Sequence, residues 1–248
     1  MSGHSKWATI KHAKGLADAK RGQMFTKFIK EISIAARMGG GDINSNPRLR
    51  TAVLKARASN MPKDNIERAI KKGTGELGGK IFEELVYEGY APGGVAVMVE
   101  VLTDNKNRAA ADVRNIFTKN GGNLGVNGSV NRMFKRKGSI VYDAEKIKED
   151  DIMETALDAG AEDINTEDGV ITVTTDPANF DAVLEALQNK GYESMSAEVG
   201  MVPEAYVPVD AGTAAKVQKL IDRLEEDDDV QNVYHTAEYP DDFSPEEE

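Results

Sequence analysis

The stretch GTGELGG at residues 73–79 separates two kinds of sequence pattern. Before it, apolar residues recur at the spacing of amphipathic helices; after it, strand and helix patterns alternate. The stretch fits the letters G-x-G-x-x-G, but a dinucleotide-binding loop follows a strand and opens a helix, whereas this stretch follows a predicted helix. We therefore interpret residues 73–79 as a flexible linker between a helical N-terminal part and an α+β remainder.

Three short amphipathic helices are predicted before the linker. The first runs from about Ala17 or Lys20 to Met38, before the glycines at 39–41. Its apolar stripe consists of Phe25, Phe28, Ile29, Ile32 and Ala36. The second begins at Asn46-Pro47 and ends near Asn60, and the third runs from Pro62 or Lys63 to Lys72. Brief connections between three such helices predict a small antiparallel bundle.

Charge is divided unequally along the chain. The first eighty residues contain 17 Lys and Arg against 6 Asp and Glu, whereas the remaining 168 contain 14 against 36. A basic module beside an acidic remainder indicates binding to a polyanion, for which nucleic acid is the obvious choice. The alternative is a pair of domains that attract one another and bind nothing.

The candidate nucleic-acid-binding residues are the cations of this basic third, together with one aromatic side chain. They are Lys6, Trp7, Lys11, Lys14, Lys20, Arg21, Lys27, Lys30, Arg37, Arg48, Arg50, Lys55, Arg57, Lys63, Arg68, Lys71 and Lys72. Trp7 either stacks on a base or anchors the N-terminal arm to the protein core. Residues 60–62 would suit the turn of a helix-turn-helix, yet the third helix offers only Asn65 and Arg68 for reading base edges. Phosphate contact is therefore the stronger inference.

After the linker, the pattern predicts an α+β architecture. Strands over Glu83–Tyr90 and Gly93–Leu102 form a hairpin, a helix follows to about Asn120, and Val126–Phe134 is a further strand. Residues 137–202 have the order βαββαβ of ferredoxin-like folds. We predict two α+β sandwiches of this type, with domain 137–202 inserted into a domain built from 81–136 and 203–238; the alternative is three consecutive domains. Residues 1–80 form the arm, bundle and linker.

Two acidic segments occur near the C-terminus. Residues 239–248 are acidic, contain two prolines and are expected to be disordered. The run EEDDD at 225–229 lies at a predicted helix C-terminus, where the helix dipole disfavours anions. Solvation is the preferred interpretation of this run; repulsion of nucleic acid or autoinhibition of the basic module is the alternative.

No pattern of catalytic residues, metal ligands or cofactor-binding loops appears, so we expect no enzyme activity, metal or cofactor and no small-molecule substrate. The chain has no cysteine, no apolar segment long enough for a membrane and no evident secretory signal. These features predict a cytoplasmic protein without membrane partners. One polar cluster after a strand is a candidate for contacting a ligand or a partner. It consists of Asp104, Asn105, Asn107 and Arg108.

Several motifs resemble those of the YebC family. They are GHSKW at 3–7, FTK at 25–27, NPRLR at 46–50, NMPKDNI at 60–66, AIKKG at 69–73, YEGYAPGG at 87–94 and TDNKNR at 103–108. The resemblance extends over essentially the whole chain.

Arg132 departs from the family pattern, where relatives often have an aromatic residue. The added charge either widens a basic surface or marks an exposed strand edge.

The resemblance implies a cytoplasmic protein with one helical and two α+β domains. Bacterial members are described as DNA-binding transcriptional regulators; a mitochondrial relative is a translational activator, and some bacterial relatives act on stalled ribosomes. We predict a nucleic-acid-binding regulator of gene expression of the DNA-binding type. The alternative is a ribosome-associated translation factor that binds rRNA, and a protein-interaction scaffold remains the third hypothesis.

Overall fold

The computed structural model describes residues 21–167, 169–240 and 243. Two compact units are present. The first, here called the bundle unit, contains residues 21–129 and 216–233 of the described chain; the second, the insert unit, contains residues 130–215, 234–240 and 243 apart from position 168. This division into two units does not test the domain limits predicted at 80, 136 and 202, which stay predictions.

Three helices precede the linker, as the apolar periodicity predicts. They are α1 (Arg21–Gly39), α2 (Pro47–Ala58) and α3 (Lys63–Gly73). Asn46 caps α2, because its side-chain oxygen accepts a hydrogen bond from the Leu49 amide at 3.1 Å. Apolar residues of all three helices form one core around Ile32 and Leu49, both fully buried.

The other part of the bundle unit contains an antiparallel hairpin and two further helices. Its elements are β1 (Glu83–Tyr90), β2 (Ala96–Thr103), α4 (Lys106–Lys119), β3 (Asn123–Leu124) and the greater parts of α7 (Ala211–Glu225) and β9 (Val230–His235). The strands lie in the order β3-β1-β2-β9. β2 is almost wholly buried, so it forms the centre of this layer.

The predicted strand over Val126–Phe134 is wrong for residues 126–133. Most of this segment is a loop, followed by a short 3-10 helix over Asn131–Met133, and the strand begins only at Phe134. Glu88 explains the difference: its carboxylate accepts a hydrogen bond from the Gly128 amide at 2.8 Å. Gly128 has a φ of 87°, which interrupts extended backbone.

The insert unit contains a four-stranded antiparallel sheet with two helices. Its elements are β4 (Phe134–Asp143), α5 (Glu149–Asp158), β5 (Ala161–Glu167), β6 (Val170–Thr175), α6 (Phe180–Asn189) and β7 (Ser196–Pro203). The strand order β5-β6-β4-β7 is that of a split βαβ motif. β8 (Val207–Pro208) and β10 (Ala237–Glu238) pair separately and in parallel. The predicted α+β class with N-terminal helices is confirmed.

Of the predicted disordered tail, residues 239, 240 and 243 are described, and the rest lies outside the described residues. Tyr239, the first residue of the predicted disordered tail, is only 7% exposed. Its ring stacks on His235 at a centroid distance of 5.6 Å and contacts Phe243 at 5.0 Å. Aromatic packing therefore fixes Tyr239, an interaction that the acidic composition of the segment does not reveal.

Acidification is expected to destabilise the insert unit through His235. Burial lowers the pKa of this histidine to about 4. Because the unfolded chain binds the proton more readily, with a pKa of about 6.5, stability is complete above pH 6.5 and falls as the pH decreases toward 4. We expect a loss of about 2 kcal/mol at pH 4.5, after allowance for partial exposure of the ring.

Urea unfolding at pH 7.5 and 4.5 measures this effect in the wild type and in His235→Asn. The variant keeps a side-chain acceptor for the Ala237 amide, which donates to His235 Nδ1 at 3.2 Å. It titrates no proton at this position, so its loss between the two pH values should be smaller by about 2 kcal/mol. Equal losses in the two proteins would contradict the prediction.

Candidate nucleic-acid interface

The polar face of α1 contacts the acidic run, residues 225–229. Lys27 donates a hydrogen bond to the carbonyl oxygen of Glu225 at 2.6 Å, and Lys30 donates to that of Asp228 at 2.7 Å. These carbonyls lie at and beyond the C-terminal end of α7, where the helix dipole favours cations. Burial lowers the pKa of Lys27, and the surrounding carboxylates of the run partly oppose this shift.

Asp229 is the most enclosed carboxylate of the acidic run, with 8% of its side chain exposed. It accepts hydrogen bonds from Lys30 at 2.5 Å, from Arg108 at 2.8 Å and from the Thr103 hydroxyl at 2.9 Å. Burial opposes ionisation, but these donors hold the pKa of Asp229 below its usual value. The solvation interpretation of the run is therefore wrong for Asp229.

The polar cluster after β2 belongs to the same network. Asn105 caps α4 by accepting from the Arg108 amide at 3.1 Å, while Asp104 accepts from the Arg108 guanidinium at 2.9 Å and pairs with Lys80. Hydrogen bonds from Lys80 and Arg108 lower the pKa of Asp104 to about 2. Asn107 is exposed. Three of the four candidate residues thus have structural partners.

A cavity of about 570 Å³ lies beside this network. Carboxylates outnumber cations in its lining. The charged lining residues are Lys30, Lys80, Asp104, Arg108, Asp112, Glu226, Asp227, Asp228 and Asp229. A phosphate group would be repelled from such a lining, so the cavity does not belong to the candidate interface.

Other predicted cations also have partners within the bundle unit. Arg48 pairs with Glu31 at 2.8 Å and with Glu84; burial would lower its pKa, but these two carboxylates raise it. Arg50 donates to two main-chain carbonyls of the loop before α2, at 2.8 and 3.2 Å. Arg37 lies 3.5 Å from a carbonyl oxygen just before β1 and remains exposed.

Three exposed cations without ion-pair partners lie in the C-terminal half of α3. Arg68, Lys71 and Lys72 are exposed and form no ion pair with any residue in the described part of the chain. Arg68 and Lys71 lie on the side of α3 opposite Ile66 and Ala69, which are 3% and 1% exposed in the bundle core, and Lys72 lies at the edge of that side. We call these three residues the α3 basic face, and their helix is held by that core.

Three further cations lie near this face in the sequence. Arg57, in the last turn of α2, is exposed and has no ion-pair partner among the residues described. Lys55 is exposed, and Lys63 pairs with Glu67 at 3.5 Å within the first turns of α3. Charge on α3 is therefore segregated, with its carboxylates in the N-terminal half and unpaired cations in the C-terminal half.

Comparison with known proteins shows the family. Residues 5–76 match the model of the TACO1/YebC protein N-terminal domain, and residues 82–237 match that of the TACO1/YebC second and third domain. The chain belongs to the TACO1/YebC family. The resemblance drawn from the sequence motifs is confirmed.

Relatives of this family are similar over almost their whole lengths. A probable transcriptional regulatory protein of Treponema denticola is 75% identical over 98% of both chains, and one of Treponema pallidum is 72% identical over 97% of this chain and 98% of the relative. The crystal structure of a conserved hypothetical protein from Aquifex aeolicus is 48% identical, covers 91% of this chain and 93% of its own, and has a TM-score of 0.83. The two Treponema relatives are thus named as probable transcriptional regulatory proteins.

The structure divides the predicted interface residues into three groups. One group lies outside the described side chains: Lys6, Trp7, Lys11, Lys14 and Lys20, together with Arg21, of which only the main chain is described. Residues with partners inside the bundle unit form the second group, and the α3 basic face with Arg57 forms the third. Lys30 leaves the candidate interface, because it is 7% exposed and paired with Asp229.

Sequence reasoning missed the role of Asp229. A usable signal exists: Asp229 directly precedes β9, and Thr103 ends β2, the neighbouring strand. The main chain confirms this proximity, since the Leu102 amide donates to the Asp229 carbonyl at 2.8 Å. A carboxylate and a hydroxyl at adjacent strand ends form a natural polar pair.

Two structural findings bear on other chemistry. No group of three or more histidine or carboxylate side chains that could hold a metal ion occurs among the described residues. Within the same residues, every helix is too short or too polar to span a bilayer.

Proposed function

We propose that this protein is a nucleic-acid-binding regulator of gene expression and that the α3 basic face contacts the phosphate backbone. The observation that supports this proposal is the set of three exposed cations without carboxylate partners on a helix fixed by its buried side. The names of the relatives agree with a regulatory role. We further propose that the protein acts in the cytoplasm without a catalytic step, and that DNA is the nucleic acid.

Binding through this face should depend strongly on salt. Each neutralised phosphate releases condensed counterions, and three contacts correspond to a slope of about −2.7 in log K against log salt on duplex DNA. Lys27 and Lys30 do not contribute phosphate contacts, because they already donate hydrogen bonds to a carbonyl oxygen and a carboxylate of the acidic run. The affinity for nucleic acid therefore depends on the exposed cations that have no ion-pair partner.

A ribosome-associated role is the second candidate, and the composition of the α3 basic face favours it. Two of the three cations are lysines, which suit phosphates, and Asn65, the amide available for base reading on α3, is half-buried. Backbone contacts without base contacts suit structured rRNA as well as DNA. Crosslinking in cells and sequencing of the attached nucleic acid distinguishes the two: promoter DNA supports the first role, ribosomal RNA the second.

Neutralising the α3 basic face is expected to weaken binding at least tenfold. The variant Arg68→Gln/Lys71→Gln/Lys72→Gln removes three cations that have no ion pair to lose, so folding should be preserved. Fluorescence anisotropy with a labelled 20-base-pair duplex, from 50 to 200 mM KCl, should show a slope reduced in magnitude by about 2.7.

The control variant is Lys146→Gln/Lys148→Gln/Lys190→Gln, which removes the same charge from exposed positions of the insert unit. It should change the dissociation constant less than threefold. Similar losses in both variants would mean that net charge alone decides binding, and an unaltered slope in the first would exclude the α3 basic face as the contact surface.

A further inference from the structure

The insert unit contains one concentrated group of cations in an acidic background. Residues 130–215 include 7 Lys and Arg and 18 Asp and Glu, and four of the basic residues fall within residues 132–137. We call residues 132–137 the β4 cationic segment. It includes the last residues of the 3-10 helix and the first residues of β4.

The four cations of this segment differ in their partners. Lys135 pairs with Glu204, and Lys137 pairs with Glu162 at 2.6 Å. Arg132 and Arg136 are exposed and have no ion-pair partner in the part of the chain that the structure describes. Two guanidinium groups therefore remain available, and guanidinium binds phosphate with two parallel hydrogen bonds.

The main chain of the segment is also open on one side. β7 pairs with β4 from Phe134 to Val141, but β6 pairs with β4 only from Gly138 onward. The edge of residues 134–137 that faces away from β7 therefore has no strand partner among the described residues. Exposed edges are usually protected by charged side chains, and amide groups at such an edge can donate to an anion.

We propose that Arg132 and Arg136 bind the phosphate backbone of a nucleic acid. Charge complementarity supports this partner, since the two exposed arginines have no ion-pair partner among the described residues of a unit that is otherwise mainly acidic. The inference rests on the proposed function and adds a second contact surface to it.

The test compares two variants that remove equal charge from the same segment. Arg132→Gln/Arg136→Gln removes the unpaired cations, and Lys135→Gln/Lys137→Gln removes the paired ones. In the anisotropy assay, we expect the arginine variant to bind about tenfold more weakly, with a salt slope reduced in magnitude by about 1.8, and the lysine variant to change less than twofold. Equal weakening by both variants, or no weakening by the arginine variant, would overturn the proposal.

The same assay separates this inference from the proposed function. If the α3 variant loses binding while the arginine variant retains it, only the second contact surface is refuted. If the wild-type protein binds neither duplex DNA nor an rRNA hairpin at 50 mM KCl, the proposed function fails and the inference fails with it. Thermal melting of both β4 variants verifies that they remain folded.

Discussion

Replacing Asp229 by alanine is expected to lower the free energy of unfolding by about 3–5 kcal/mol, because removal of one member of a buried ion pair leaves the other charge without a carboxylate partner. Lys30, with 9% of its side chain exposed, would lose its carboxylate partner. Arg108 and Thr103 would lose the same acceptor. Urea unfolding at pH 7 measures the effect.

Asp228→Ala is the matched control for this substitution. Its side chain is exposed, and Lys30 contacts only its main-chain carbonyl, which alanine retains. We expect a change within about 0.5 kcal/mol. A loss of less than 1 kcal/mol for Asp229→Ala, or an equal loss for both variants, would show that the network around Asp229 is not a stabilising centre.

The pH dependence of Asp229 has a defined direction. The pKa of this carboxyl is lowered in the folded protein, so its contribution is complete above the unfolded value of about 3.9 and is lost as the pH falls through the lower folded value. The difference in stability between the wild type and Asp229→Ala should therefore be constant near pH 7 and shrink in strong acid.

Gly73→Ala is expected to destabilise the protein by about 3 kcal/mol, since overpacking here meets main chain and cannot be relieved by a rotamer change. A Cβ atom at position 73 would collide with the Ser33 carbonyl oxygen and would lie 2.8 Å from the Ala36 side chain. Both residues belong to α1, so α3 would have to move away from it. The α3 basic face would be displaced with its helix.

Gly22→Ala, the same substitution in α1, is the control. Nothing lies within 4 Å of a Cβ atom at position 22, and alanine favours helix by up to about 1 kcal/mol over glycine. Thermal unfolding should show a lower midpoint for Gly73→Ala and an equal or higher one for Gly22→Ala. Tolerance of alanine at position 73 would mean that α1 and α3 do not pack as closely as described.

Much of the architecture could be predicted from local signals. Apolar periodicity located α1 to α3, and the cap residues Asn46 and Asn105 lie where their sequence context predicts helix starts. The alternation of strands and helices after residue 80 gave the α+β class. These features depend on residues close together in the sequence, which a single chain displays directly.

The partners of the cations could not be predicted in this way. Lys27 and Glu225 are 198 positions apart, so no local pattern relates them. Charge counting treated all cations of the basic third as equivalent, whereas folding pairs Lys27, Lys30 and Arg48 and leaves the α3 basic face open. The strand prediction for residues 126–133 failed for a similar reason. Glu88, which accepts the hydrogen bond from Gly128 in this loop, lies 40 positions away in the sequence.

The network at Asp229 bears on the proposed binding of a polyanion. A rotation of the helices relative to the sheet of the bundle unit would separate the Lys30 ammonium from the Asp229 carboxylate. Each charge would then be left without its partner in a poorly hydrated space, at a cost of several kcal/mol. The orientation of α3 is thus set before any ligand arrives. Little internal conformational freedom is therefore lost on association, which lowers the ordering cost that phosphate contacts have to offset.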